Sequence, residues 1–370
     1  MTQGTGAGRR RQRHCSFVLP GDWRTATGGY AYDRRIAEGL RSLGWTVEPC
    51  MLDESFPRPT EDALLQAEAA LAALVDGTLV IADGLAFGAM PALAERHARR
   101  LHWVALIHHP LAFETGPEQA RRCALFDSER RALATARAVI ATSAATAQAL
   151  AEFDVPAARL HVVEPGTDPA PLARGSGSAA LALLCVATLT PRKGHAVLIE
   201  ALAGLKERSW TLVCAGSATR DPATTAALRG AIAGAGLGER VQLLGEVDPA
   251  RLNALYDGAD LFVLPSHHEG YGMVLAEALA RGLPVLATTA GAVADTVPAD
   301  AGVLVPPGDP LALRSALAGL LDRPARRLEL AAGARAARER LPTWPAACAR
   351  FSAVLSTPMP DDTAQDVPPQ

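Results

Sequence analysis

Residues 261–287 read LFVLPSHHEGYGMVLAEALARGLPVLA. An apolar run, 261–264, leads through a loop containing Gly270 and Gly272 into an apolar helical stretch, 273–281. Gly282-Leu-Pro284 ends that stretch, and a second apolar run follows at 285–287. A strand, a helix and a strand in such close succession make one parallel unit, because short apolar runs bounded by turn residues fit strands buried on both faces.

Outward from this unit the same alternation fills the chain. In the second half, strands are expected at 181–187, 211–215, 241–244, 261–264, 285–287 and 303–305, with helices at 196–206, 249–256, 273–281 and 310–321. Asp248-Pro249 and Asp309-Pro310 each put a capping side chain before a proline at the first helical position. In the first half the expected strands are 15–19, 45–49, 79–82, 103–107, 138–141 and 160–163, with helices such as 30–43, 61–74 and 117–134. Between the two series the Pro-, Gly- and Ser-rich residues 171–180 read as a linker.

The chain of 370 residues exceeds one ordinary core and suits two domains. The expectation is α/β: two Rossmann-like, doubly wound domains facing each other across a cleft, formed by residues 15–170 and 181–341. Residues 342–356 form a further helix, and 1–14 and 357–370 are tails.

Composition removes several function classes. With 49% hydrophobic and 20% charged residues the chain is globular, and a net charge of −3 gives no global field that recruits nucleic acid or an anionic membrane. Six scattered cysteines lack metal-type spacing and read as free thiols in a reducing compartment. The basic run Arg9 to Arg13 is followed by too short an apolar run for an export signal. No apolar stretch approaches the ~20 residues of a membrane span, so the expected location is cytoplasmic.

In open parallel sheets ligands bind at the carboxyl ends of strands, and four such places carry informative residues. Pro191-Arg192-Lys193-Gly194 puts two cations at a helix N-terminus, opposing the positive end of the macrodipole unless an anion bridges them; a solvated basic turn has the same letters. Ser266 to Met273 enters its helix without a Ser, Thr, Asp or Asn cap, leaving backbone N–H groups for a phosphate. One turn on, Glu277 is placed to accept from a ribose diol, although Glu277 and Arg281 also have ordinary salt-bridge spacing. Gly28-Gly29 follows the first strand and permits close backbone approach, as a plain turn also does. His108 closes the strand at 103–107, where an imidazole can bond a hydroxyl or a backbone group, and Asp83-Gly84 ends another strand in the same way.

Taken together these segments resemble the family 4 (group 1) glycosyltransferases, which have the GT-B fold. Residues 264–285 are similar to that family's long signature with two Glu separated by seven residues, here Glu269 and Glu277. Leu189 to Gly194, Leu244-Gly245 with Tyr256 to Asp260, and Gly302 to Asp309 look like its other motifs, and Gly28-Gly29, His108 and Pro165 to Asp168 match more loosely.

The resemblance implies that Lys193, helped by Arg192, binds the donor diphosphate. It implies that the amides of Gly270, Tyr271, Gly272 and Met273 bind phosphate, Glu277 the ribose and Glu269 the transferred sugar. Gly28 and Gly29 would face the diphosphate and acceptor, His108 would lie near the sugar, and the helix at 342–356 would cross back onto the first domain. Lys193, Glu269 and His108 are the expected catalytic residues. One departure stands out: the family's usual Arg five positions before its Lys is here Thr188.

The implied reaction moves a sugar from a nucleotide-diphosphate donor to an acceptor hydroxyl with retention, without metal or other cofactor. The expected partners are a nucleotide sugar and a small soluble acceptor, with no nucleic acid. Two rivals remain: a sugar-nucleotide epimerase of the same architecture, and a non-catalytic partner of another transferase.

Overall fold

The structure, a computed structural model, describes residues 13–114 and 119–357. Most of the two terminal tails and the start of the helix expected at 117 lie outside the described residues.

Two six-stranded parallel sheets organise the chain. The first contains β1 (His14–Pro20), β2 (Thr46–Leu52), β3 (Leu79–Asp83), β4 (His102–Ile107), β5 (Ala138–Ala141) and β6 (Leu160–Val162), in the order β2-β1-β3-β4-β5-β6. The second contains β7 (Leu181–Val186), β8 (Trp210–Ala215), β9 (Val241–Gly245), β10 (Leu261–Leu264), β11 (Val285–Thr288) and β12 (Gly302–Val305), in the order β12-β11-β10-β7-β8-β9. Each expected strand is present within a few residues at its ends. β3, β5, β10 and β11 are buried at every position, which is why they read as unbroken apolar runs.

Both orders reverse direction once, beside the first strand of each sheet: between β1 and β3, and between β7 and β10. At such a reversal the loops on either side leave toward opposite faces and open a crevice at the strands' carboxyl ends. The loops after β7 and β10 are those carrying Lys193 and Glu269. The loops after β1, β3 and β4 carry Gly28-Gly29, Asp83 and His108.

Two helices absent from the expectation, Pro222–Gly234 and Pro324–Arg338, flank the second sheet. The first is rich in Ala, Thr and Gly and the second in Ala and Arg, so neither shows a clean apolar stripe in sequence. Asp221 caps the first, accepting from the Thr224 N–H at 2.9 Å.

The segment expected as a linker, 171–180, is strapped to the second domain. One carboxylate, Asp260, accepts from the Ser176 N–H (3.0 Å), the Ser176 hydroxyl (2.6 Å) and the Ala182 N–H (2.8 Å). Arg174 Nε donates to Asp257 at 2.8 Å. Its Pro/Gly/Ser composition signalled the absence of core side chains but not these backbone and polar anchors.

After Arg338 the chain returns to the first sheet. The helix Trp344–Ser356 packs on Gly28–Ser42, burying Trp344, Phe351 and Leu355 with Tyr32, Ile36 and Leu40. The two passages between the sheets touch: the Thr167 N–H donates to the Pro342 carbonyl at 2.7 Å, and a Cβ on Gly166 would lie 2.1 Å from the Trp344 nitrogen.

Candidate active site

A cavity of about 540 Å³ lies between the two sheets at their carboxyl ends. The structure brings into its wall all but one of the candidate residues: Gly28, Gly29, His108, Arg192, Lys193, Glu269, Gly270, Tyr271, Gly272 and Met273. Glu277 follows one turn into the helix that Met273 begins.

The second-domain wall is built on two glycines in the left-handed region. Gly194 (φ +68°) ends the tight turn Pro191–Lys193 and starts the helix His195–Ala203. Any Cβ there would meet the Pro265 carbonyl oxygen at 2.0 Å, so the basic turn can lie against the loop after β10 only because the residue is glycine. Gly272 (φ +82°) starts the helix Met273–Ala280, and no side chain caps that end. The free N–H groups of a helix start thus face the cleft beside Lys193.

Lys193 Nζ donates to Glu269 Oε1 at 2.6 Å, and the Ser266 hydroxyl donates to the same oxygen at 2.5 Å. Burial alone would raise the Glu269 pKa, but the Lys193 and Arg192 charges outweigh it and hold the carboxyl below the usual range. Burial, only partly offset by Glu269, lowers the Lys193 ammonium. Arg192 is committed elsewhere: Nη1 donates to the His268 carbonyl at 2.8 Å, and Nε lies 3.2 Å from Glu114 of the first domain.

Glu277 makes no side-chain bridge to Arg281. Arg281 Nη1 bonds the Glu277 backbone carbonyl (2.9 Å) and Nη2 bonds Asn253 (2.6 Å), with its guanidinium stacked on the Tyr256 ring. Glu277 Oε2 accepts the Tyr256 hydroxyl at 2.9 Å, and burial raises its pKa. Tyr256 fixes one carboxylate oxygen and leaves the other for a hydroxyl.

The first-domain wall has a different chemistry. His108 Nε2 lies 2.9 Å from Asp33 and 3.5 Å from Asp83, both fully buried. Burial pushes Asp83 up to about 7, with the neighbouring Asp33 charge adding to the rise. Burial disfavours the imidazolium, yet the two carboxylates outweigh it and raise the His108 pKa. The imidazole is thus held between two buried acids. The three side chains also present ligand atoms within 4.8 Å of one another, a separation that a cation can bridge, and Cys185, His195 and Cys214 form a second such group in the core of the second domain.

The walls meet closely. A Cβ on Gly270 would lie 2.1 Å from the His108 carbonyl oxygen, and the Thr146 hydroxyl donates to the Gly270 carbonyl at 3.3 Å. The rings of His109 and His268 stack across the gap with centroids 4.1 Å apart. Gly29 packs against the His108 ring, whereas nothing would obstruct a Cβ at Gly28, whose backbone is open to the cavity.

Sequence reasoning missed Asp33 and Arg220, both at or beside this cavity. Asp33 had a detectable signal. It falls on the stripe Tyr30, Asp33, Ala37, Leu40 of the helix Gly28–Ser42, a polar residue on an apolar face. Arg220 had none, being one cation in an exposed loop.

Comparison with known proteins places this geometry in a class. The family described as glycosyl transferases group 1 matches residues 180–323, and the one described as Glycosyltransferase Family 4 matches residues 54–171. The chain belongs to the family 4, group 1 glycosyltransferases and has their GT-B fold.

Among its relatives is the D-inositol 3-phosphate glycosyltransferase of Xylanimonas cellulosilytica, 35% identical over 230 residues, which are 57% of this chain and 55% of that protein. The enzyme of the same name from Salinispora tropica is 34% identical over 56% of this chain and 48% of its own length. The chain thus spans about half the length of these curated relatives. Sucrose-phosphate synthase from Thermosynechococcus elongatus superposes with a TM-score of 0.78 at 23% identity, covering 92% of this chain and 98% of that one. Anabaena HepE in complex with UDP and glucose superposes at 0.74 and 20% identity, covering 93% and 99%. No helix among the described residues is long and apolar enough to cross a membrane.

Proposed function

We propose that this protein transfers a sugar from a nucleoside-diphosphate donor to an acceptor hydroxyl, with retention of anomeric configuration and without a metal. One observation carries the reading: the Lys193 ammonium and the uncapped start of the helix Met273–Ala280 face the same interdomain cavity, opposite the open backbone of Gly28. Expelling a diphosphate is the difficult event, and fixed cations with oriented N–H groups stabilise the charge that develops on it. That HepE, a fold neighbour, holds UDP and glucose agrees with a donor of this kind.

In this reading Lys193 and the amides of Gly270 to Met273 bind the diphosphate. Glu277, one oxygen fixed by Tyr256, accepts from the ribose diol. Glu269 accepts from hydroxyls of the transferred sugar and holds Lys193 in place meanwhile. His108, fixed by Asp33 and Asp83, donates to the sugar near its reacting carbon. None of these carboxylates is set up as a nucleophile, so the acceptor enters on the face the diphosphate leaves, and the departing phosphate takes its proton. Apposition of the two walls at Gly270 and His108 excludes water and limits hydrolysis.

The acceptor side is a second cavity of about 460 Å³, which shares Tyr30, Leu85, Leu111, Glu114 and Arg220 with the first and has Arg58 and Arg121 in its wall. Guanidiniums suit a phosphorylated polyol, the kind of acceptor named for the curated relatives.

The test is a thermal-shift panel of UDP, GDP, ADP and TDP with their sugars, since a ligand stabilises according to its affinity. It is followed by NMR of the product with inositol 3-phosphate as acceptor, with and without EDTA. Stabilisation by one nucleotide and an anomer matching the donor's, unaffected by EDTA, is the expected result. A free epimerised sugar, an inverted product or full loss of activity in EDTA overturns the corresponding part.

A further inference from the structure

The charged groups lining the donor cavity are nearly all paired. Lys193 is bonded to Glu269, Arg192 to Glu114, and His108 to Asp33 and Asp83. A nucleoside-diphosphate sugar brings about two negative charges, and a third appears on the leaving group as its bond to the sugar breaks. Arg220 lines the same cavity, and its guanidinium has no hydrogen bond or ion pair to another described residue. It also borders the second cavity, so it stands where the two spaces join.

Its backbone is held while its side chain is not. β7 and β8 run side by side, and the loops beyond them stay paired: the Ala187 N–H donates to the Ala215 carbonyl and the Leu189 N–H to the Ser217 carbonyl, both at 2.9 Å. Gly216 (φ +149°) lies so close that a Cβ there would sit 2.1 Å from the Ala187 oxygen and 2.8 Å from the Thr188 nitrogen. Next, the Thr225 hydroxyl fixes the Ala218 carbonyl at 2.8 Å, and Asp221 caps the following helix. Arg220, like Thr219 before it, is exposed between these two anchors. It lies in the loop beyond β8, the strand beside β7, and lines the cavity that Thr188 and Lys193 also line.

We propose that Arg220 is the second diphosphate-binding cation of this site, a catalytic residue that neutralises the charge developing on the leaving nucleoside diphosphate. This rests on the donor reading above. The long side chain, without a hydrogen bond or ion pair among the described residues, closes over the bound diphosphate from the β8 side, opposite Lys193. Arginine suits the task because its planar fork bonds two phosphate oxygens at once.

The experiment uses the full chain and its Arg220→Ala, Arg220→Gln and Arg220→Lys variants. Titration calorimetry measures the nucleoside diphosphate chosen by the thermal-shift panel and the matching monophosphate. Because Arg220 is exposed, the variants should fold, and circular dichroism checks that they do. The expected result is a loss of about tenfold or more in diphosphate affinity for Ala and Gln, monophosphate affinity changed less than about twofold, and partial recovery with Lys. The rate should fall with donor saturating, as it must for a group acting on the leaving charge. Unchanged diphosphate-to-monophosphate discrimination in Arg220→Ala, with Lys193→Ala abolishing it, overturns the role of Arg220 alone. If the unaltered chain itself binds no nucleoside diphosphate, the donor reading falls and this inference with it.

Discussion

The two walls of the cleft face each other at van der Waals distance yet solve opposite problems. The second-domain wall exposes positive charge: an ammonium, a basic turn and an uncapped helix start, with Glu269 and Ser266 holding the ammonium in place. The first-domain wall pairs its charges internally, with two buried acids set against one imidazole. The difference follows from which loops each switch point exposes. In the second sheet the loops after β7 and β10 enter helices through left-handed glycines that leave N–H groups free. In the first sheet Thr27 caps the helix after β1 and Asp83 caps the turn after β3, so a side chain takes one N–H at each of these helix starts. One wall is built to receive an anion and the other to orient a polar group.

If that division of labour holds, Lys193→Ala should have the largest effect, a fall in kcat of about 10²–10³ as for other lost preorganised donors. The matching measurement is steady-state kinetics with both substrates saturating, and a loss below about tenfold would remove Lys193 from the developing charge. Gly270→Ala attacks the contact between the walls. Its methyl would meet the His108 carbonyl oxygen, so the walls must part by about 1 Å or more, and kcat/KM should fall by about 10²-fold while nucleotide binding persists. Equal losses in binding and turnover would mean the substitution damaged the second domain alone.

Asp83→Asn probes the first wall and should have the smallest effect. The pKa of Asp83 is raised on folding, so its protonated form is favoured in the folded state. That contribution is complete below the unfolded value near 3.8 and is lost as pH rises to about 7. His108 is raised as well, so its contribution also fades with rising pH. Denaturant unfolding at pH 5 and pH 8 should therefore show less loss of stability with pH in Asp83→Asn than in the unaltered chain, by ~1 kcal/mol or more. An unchanged slope would show that Asp83 is ionised throughout. Asparagine keeps the cap on the Leu85 N–H, which isolates the charge.

Most of the fold was legible because parallel strands covered on both faces are written as short apolar runs, and Asp-Pro pairs mark helix starts. The second-domain wall was legible for a related reason: Arg192, Lys193, Glu269 and Glu277 sit close to glycines in continuous motifs. The first-domain wall was legible only at its strand ends, Gly28-Gly29, Asp83 and His108: Asp33 lies inside a helix, and only the strand order brings it together with Asp83 and His108. Arg192 illustrates a subtler limit. Its place beside Lys193 was clear, but its partner Glu114 belongs to the other domain, and no spacing in sequence announces a pair across a cleft.

The return of the helix Trp344–Ser356 to the first sheet has a mechanical consequence. Both connecting passages touch, at Thr167 with Pro342 and at Gly166 with Trp344, so the two chain crossings lie together along one line. A swing about that line, like covers on a single spine, would part Gly270 from the oxygen of His108 while leaving both crossings together.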